Sequence, residues 1–145
     1  DNDAKFQYWD INGPTADAVN NPGDPATGIW GTDAFWSPDS AGTAATDVWY
    51  PTNVAVFSAG TYASGAFTVT LNGAQQADYL LFKDGEVTLS GGTLTLTNFT
   101  GVQVSSSSPA HIDSVLDGAA GFTMEGPGTL YLGGINTYTE RERDK

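Results

Sequence analysis

The side chains best suited to chemistry fall in four short stretches of the sequence. Ala110-His111-Ile112-Asp113-Ser114 brings the only histidine close to an acid and a hydroxyl, the three functions of a nucleophilic triad. A triad is a matter of geometry, and neighbours on a strand alternate faces, so His111 and Asp113 share one face while Ser114 takes the other. The expected arrangement is therefore an inward Ile112 between a solvated His111 and Asp113, and no catalytic residue is assigned. Asp84 with Glu86, and Asp113 with Asp117, are the acid pairs that a glycoside hydrolase would need to set across a sugar. Asp84-Gly85, however, reads as a turn.

Asp10, Asn12 and Asp17 offer oxygen ligands at calcium-loop spacing and are the candidate cation ligands. The bidentate glutamate that would close a twelve-residue loop is missing, since residue 21 is Asn21, and an Asx-rich loop is the default. Trp9, Trp30, Trp36 and Trp49, with Tyr8, Phe35 and Tyr50, supply aromatic faces for a sugar platform. The same rings also suit an aromatic core that closes one end of a repetitive fold. Nothing in the sequence implies a cofactor.

Composition limits the rest. A length of 145 residues fits one domain with a sizeable core. Eighteen glycines, many Thr, Ser and Ala, and five Lys plus Arg describe a chain that turns often and has few good surface helix positions. A net charge of -12 disfavours nucleic acid, whose phosphates need clustered bases, and disfavours an electrostatic hold on anionic lipid. The absence of cysteine removes disulfides, thiolate metal sites and a thiol nucleophile. No stretch approaches the ~20 apolar residues of a membrane-spanning helix. The chain opens on Asp1-Asn2-Asp3 instead of a basic, apolar leader, which is the expectation for the mature form of an exported protein.

These residues must be positioned by short strands. Residues 1–50 carry all four tryptophans and long Asp/Asn/Gly-rich connections, and read as an irregular aromatic cap with strands near Phe6–Trp9 and Ile29–Trp30. From Val54 onward come alternating runs at Val54–Phe57, Phe67–Leu71, Tyr79–Phe82, Val87–Leu89, Thr93–Thr97, Val102–Val104, His111–Leu116, Phe122–Met124 and Thr129–Leu132, separated by Gly, Asn, Asp or Ser. No helical period links them. A β-sandwich needs longer strands and more hairpin turns than this; Gly91-Gly92 is the one strong two-residue hairpin signal. A parallel β-helix, winding roughly 20 residues per rung, accommodates the short runs, and its coil would be right-handed for the reason that parallel crossovers are.

Gly85 to Leu96, GEVTLSGGTLTL, and Gly126 to Thr139, GPGTLYLGGINTYT, together with Tyr8-Trp9-Asp10, Trp30, Phe35-Trp36-Ser37 and Ala55-Val56-Phe57, resemble the autotransporter-associated β-strand repeat of bacterial surface and secreted passenger domains. The resemblance extends over residues 8 to 139. It implies an all-β fold, a right-handed parallel β-helix (solenoid) outside the cell, in families whose passengers are adhesins, stalks or surface fibres. One departure stands out. Where the repeat usually continues with glycine, this chain has Glu140-Arg141-Glu142-Arg143-Asp144-Lys145, which reads as a stop or polar cover over an exposed edge.

The expected organisation is thus a single domain over 1–145, with a cap at 1–50, rungs at 51–139 and a charged tail at 140–145. The expected function is that of a non-enzymatic extracellular structural module, a surface or fibre subunit that self-associates head to tail or forms part of a surface appendage. An adhesive role is open to it, with a carbohydrate-binding module as the alternative and a polysaccharide-degrading enzyme behind it.

Overall fold

The structure, a computed structural model, describes residues 5–97, 101–105, 109–117, 124–125 and 128–133. The described residues are all-β, with no helix among them. In chain order the strands are β1 (Phe6–Trp9), β2 (Gly28–Trp30), β3 (Trp36–Ser37), β4 (Val54–Phe57), β5 (Ala66–Leu71), β6 (Ala74–Ala77), β7 (Leu80–Phe82), β8 (Glu86–Ser90), β9 (Thr93–Leu96), β10 (Val102–Val104), β11 (Ala110–Ile112), β12 (Val115–Asp117), β13 (Met124–Glu125) and β14 (Leu130–Leu132).

From β4 onward each strand pairs in parallel with the strand three elements later. The six-stranded sheet runs β13-β10-β7-β4-β1-β3, the five-stranded sheet β14-β11-β8-β5-β2, and the three-stranded sheet β12-β9-β6. Among the described strands only β1 with β3 is antiparallel, at Tyr8↔Ser37 and Trp9↔Trp36, with a further antiparallel bridge from Trp36 to Asp47.

Side-chain alternation dictates which residues face the core. Along β5 the exposed Ala66, Thr68 and Thr70 alternate with the buried Phe67, Val69 and Leu71, the two-residue period of a half-buried strand. Because the pairing is in register, these positions stack. Ala55, Leu80 and Val102 form one buried column; Phe57, Phe82 and Val104 form a second; Val69, Leu89 and Ile112 form a third. Leu94 and Leu116 add a fourth from the small sheet.

Most strands lie where alternation places them, and the differences have physical reasons. The run His111–Leu116 is two strands, β11 and β12, broken at Asp113-Ser114 and belonging to different sheets. Strand β6, Ala-Gln-Gln-Ala, carries no apolar alternation: Gln75 and Gln76 are half-buried, and the strand is fixed by its ladder to β9. Strand β3 is only two residues long. Gly91-Gly92 joins strands of different sheets, so it is a corner and not a hairpin. The segments Gly134–Lys145 and Asn98–Thr100, including the mixed-charge tail, lie outside the described residues.

Both corner glycines have positive φ, 74° and 60°. A Cβ on Gly92 would collide with the Gly73 carbonyl oxygen of the neighbouring turn, so the corner is left-handed and closely stacked as well. Gly92→Ala is expected to lower the free energy of unfolding by ~1–3 kcal/mol. Thr70→Ala, on the exposed side of β5, is expected to change it by less than about 0.5 kcal/mol. Chemical denaturation of the two variants checks both values.

Candidate functional site

Two places gather the candidate residues: the aromatic end of the core with the acid junction beside it, and the outer face of the five-stranded sheet.

Trp9, Trp30 and Trp36 are fully buried and Trp49 is 9% exposed. Their rings pack against one another, with Trp36 and Trp49 at 4.6 Å, Trp9 and Trp36 at 5.1 Å, and Trp30 and Trp49 at 5.2 Å between centroids. Phe57 lies at the centre, touching Trp9, Trp30 and Trp36, and stacks on Phe82 at 5.3 Å with 15° between planes. The indole of Trp9 donates to the Ala26 carbonyl at 2.6 Å, and that of Trp49 donates to the Gln76 carbonyl at 2.7 Å. Close packing also explains Gly28, where a Cβ would lie 2.8 Å from the Trp9 ring. The four indoles proposed as a sugar platform therefore form a plug, with their faces occupied by one another.

Asp10 follows Trp9 where three loops meet. Its amide donates to the Phe35 carbonyl at 2.8 Å, and its Oδ1 accepts the Asn12 amide at 3.1 Å. Asp17, at φ 70°, donates its amide to the Ala41 carbonyl and accepts the Thr61 amide on Oδ1, both at 2.8 Å, tying the loop before β2 to the loops after β3 and β4. A Cβ on Gly42 would lie 2.9 Å from both Asp10 Oδ2 and the Asp17 carbonyl oxygen, so these two oxygens converge on the glycine. Asn12 bonds Asn20 at 3.2 Å, beside an open cleft of about 240 Å³ lined by Ile11, Asn12, Val19, Asn20, Asp24 and Pro25.

Asp10, Asn12 and Asp17 are thus neighbours at one junction, where Asp17 Oδ1 is engaged by the Thr61 amide while Asp10 Oδ2 and Asn12 Oδ1 are buried without a hydrogen-bond partner among the described residues. Among the described residues no group of three or more His, Cys, Asp or Glu side chains is placed to hold a metal ion.

The carboxyl of Asp10 is fully buried and its Oδ2 has no hydrogen-bond partner among the described residues. Burial is the largest influence on it and raises its pKa. The Asn12 amide opposes that rise, the charges of Asp17 and Asp39 add to it, and the result is about 7. Asp39, in contrast, is held below its usual value by the hydroxyl and amide of Thr43.

On the five-stranded sheet, Thr68, Thr88, His111 and Tyr131 form an in-register column. His111 Nε2 lies 2.8 Å from Glu86 Oε2, and the imidazole stacks on Tyr131 at 5.1 Å. Asp113 is exposed, and Ser114 is 1% exposed with its Oγ unpartnered among the described residues. Histidine, acid and hydroxyl are thus divided between the surface and the core, with Ser114 turned inward at the corner between β11 and β12. The acid pairs are also separated in function, since Glu86 is engaged by His111 and Asp84 by Lys83 at 3.0 Å. The Glu86–His111 pair joins positions 25 residues apart, and the roughly 20-residue repeat is the one feature of the sequence that would have brought them together.

No protein-family model matches the chain, and no solved structure matches it. Over 138 residues, 94% of its length, the chain is 38% identical to the adhesin BmaC autotransporter of Brucella suis biovar 1 (strain 1330). It spans about 4% of that protein's length. The likeness supports an autotransporter-associated kinship without singling out a particular β-strand repeat within it.

Two outcomes follow from the aromatic plug and its acid. The folded state holds a proton on Asp10 up to about pH 7, whereas an unfolded aspartate loses it near pH 3.8. The folded state therefore binds more protons between those values, and this residue's contribution to stability falls as pH rises through that window and levels off above about 7. Asp10→Asn is expected to unfold at higher temperature than the parent at pH 8, with the gap closing toward pH 4; a pH series of thermal melts reads it. Titration with neutral polysaccharides is expected to leave tryptophan emission unchanged, because no indole face is free to stack on a sugar.

Proposed function

We propose that this chain is an adhesive, non-enzymatic segment of a secreted bacterial surface protein, wound as a right-handed parallel β-helix whose coil starts at the aromatic plug. The reading rests chiefly on the likeness to an autotransporter adhesin over nearly the whole chain. Three observations support it. Parallel pairing of each strand from β4 to β11 with the third one after it is what a three-sided coil requires. The buried columns run in register through successive pairs. The histidine, serine and acids that could have formed a catalytic set are separated or engaged elsewhere.

Display along one long polypeptide is preferred to head-to-tail stacking of separate copies. At the aromatic end β3 lies along the edge of the six-stranded sheet while β2 and β6 are edge strands of the other two, so the preference rests on the chain's matching about 4% of a far longer relative. The carbohydrate-binding alternative loses its proposed platform to the plug.

Beads coated with the purified chain are expected to bind mammalian epithelial cells above the level of beads coated with an unrelated acidic protein. The same preparation should release no reducing ends or unsaturated sugars from a polysaccharide panel. Equal binding by both bead types would reject adhesion, and sugar release would reject the non-enzymatic reading. The coil has its own test: Thr68→Cys with Thr88→Cys should form a disulfide readily, and Thr68→Cys with His111→Cys should not, because one strand separates the second pair.

A further inference from the structure

The loop junction beside the plug holds oxygen acceptors that nothing around them satisfies. Asp10 is fully buried, and its Oδ2 has no hydrogen-bond partner among the described residues. That oxygen and the Asp17 carbonyl oxygen each lie 2.9 Å from the point where a Cβ on Gly42 would stand, so both are aimed at the gap left by the missing side chain. The Asn12 amide donates to the other oxygen of the same carboxyl at 3.1 Å, and Asn12 Oδ1 is itself buried and unpartnered among the described residues.

The chemistry of these atoms limits what can satisfy them. An ionised carboxylate, a side-chain amide oxygen and a main-chain carbonyl oxygen all accept, and none donates. One water donates two hydrogens and leaves the third acceptor bare, at the cost of a buried polar atom without a partner. Charge points the same way. The carboxylates of Asp17 and Asp39 both act on Asp10. Asp17 is held by the Thr61 amide and Asp39 by the amide and hydroxyl of Thr43, and neither partner brings a positive charge. Lys83, whose ammonium reaches the Gly60 carbonyl, is paired with Asp84 at 3.0 Å. A cation answers several acceptors at once and offsets the local negative charge.

We propose that Asp10 Oδ2, Asn12 Oδ1 and the Asp17 carbonyl oxygen bind a calcium ion that ties the loops of this junction to the aromatic plug. Mixed oxygen donors suit calcium, which takes roughly six to eight oxygens in irregular geometry, better than magnesium, which holds to a near-ideal octahedron. Only one of the three donors is a carboxylate, so no cluster of acids marks the place. Asn12 also lines the open cleft of about 240 Å³, from which water can complete the coordination. So few charged ligands give the affinity of an extracellular calcium module, on the order of 10⁻⁴–10⁻³ M.

Thermal unfolding of the whole chain at pH 8 tests this, after metal removal with EDTA and dialysis into calcium, magnesium or sodium chloride at equal ionic strength. Calcium at ten times its dissociation constant is expected to raise Tm by ~3–6 °C, and magnesium by less than about a third of that. Asp10→Asn, which removes the buried charge, is expected to lose the calcium response. In metal-free buffer the parent melts below this variant, so calcium narrows the gap between them. Asn12→Ala is expected to bind calcium about tenfold more weakly by titration calorimetry. Asp113→Asn, which changes an exposed acid outside the junction, should respond as the parent does. A parent that calcium does not stabilise would overturn the proposal. Equal shifts with calcium and magnesium would do so too, as would an undiminished response in Asp10→Asn or undiminished affinity in Asn12→Ala.

Discussion

The ring of Phe57 joins the two halves of this structure. It touches three of the four tryptophans on one side and stacks on Phe82 on the other, and Phe82 opens the column that passes to Val104. The in-register pairing of Trp30 with the buried Leu71 adds a second link between plug and columns. Short parallel strands stabilise one another only through neighbours, so the first strands of a stack need a rigid surface to pair and pack against. Here β1 and β4 receive it from the indoles behind them, which explains why an otherwise irregular segment carries so many large aromatics. The loops that hold the plug in place meet at Asp10 and Asp17, and the junction keeps a carboxyl in a setting that favours its neutral form.

Much of this was legible in the residues. The short strand runs located β1, β4, β5, β8 and β10 to within a residue at each end, β5, β8 and β10 by the two-residue signature of half-buried strands and β4 as a continuous apolar run buried throughout. It failed where burial and sequence decouple. In β6 the glutamines are held by a ladder and by Asn72 rather than by apolar packing, so no pattern marked the strand. At Asp113-Ser114 the chain turns a corner, although Ser114 is buried and the surrounding residues read as one run. The four tryptophans were recognisable as a set from type and spacing, yet whether their faces look outward or inward depends on contacts with Phe57 and Phe35, distant in sequence. Asp10 was visible as an oxygen ligand, but its burial, the property that sets its chemistry, comes from loops up to 30 residues away.

The same constraint shapes the outer surface. With most aliphatic and all indole groups inside, the outer faces among the described residues carry threonine, serine, glutamine and acids, with Phe6, Ile29, Val48, Tyr50 and Tyr131 as the exposed large apolar side chains. A net charge of -12 gives such a body a strongly solvated surface. Contact with a partner would then come from loops and polar strand faces that vary while the columns stay fixed, in keeping with the general division between rigid scaffold and variable loops.

The central claim is that the plug and the columns are one cooperative unit joined through Phe57 and Phe82. A double-mutant cycle of Phe57→Leu and Phe82→Leu, read by equilibrium denaturation, tests it most directly. The account predicts a coupling energy of ~0.5–1.5 kcal/mol between the two rings, within a single unfolding transition. Strict additivity, or a plug that melts apart from the columns, would contradict it.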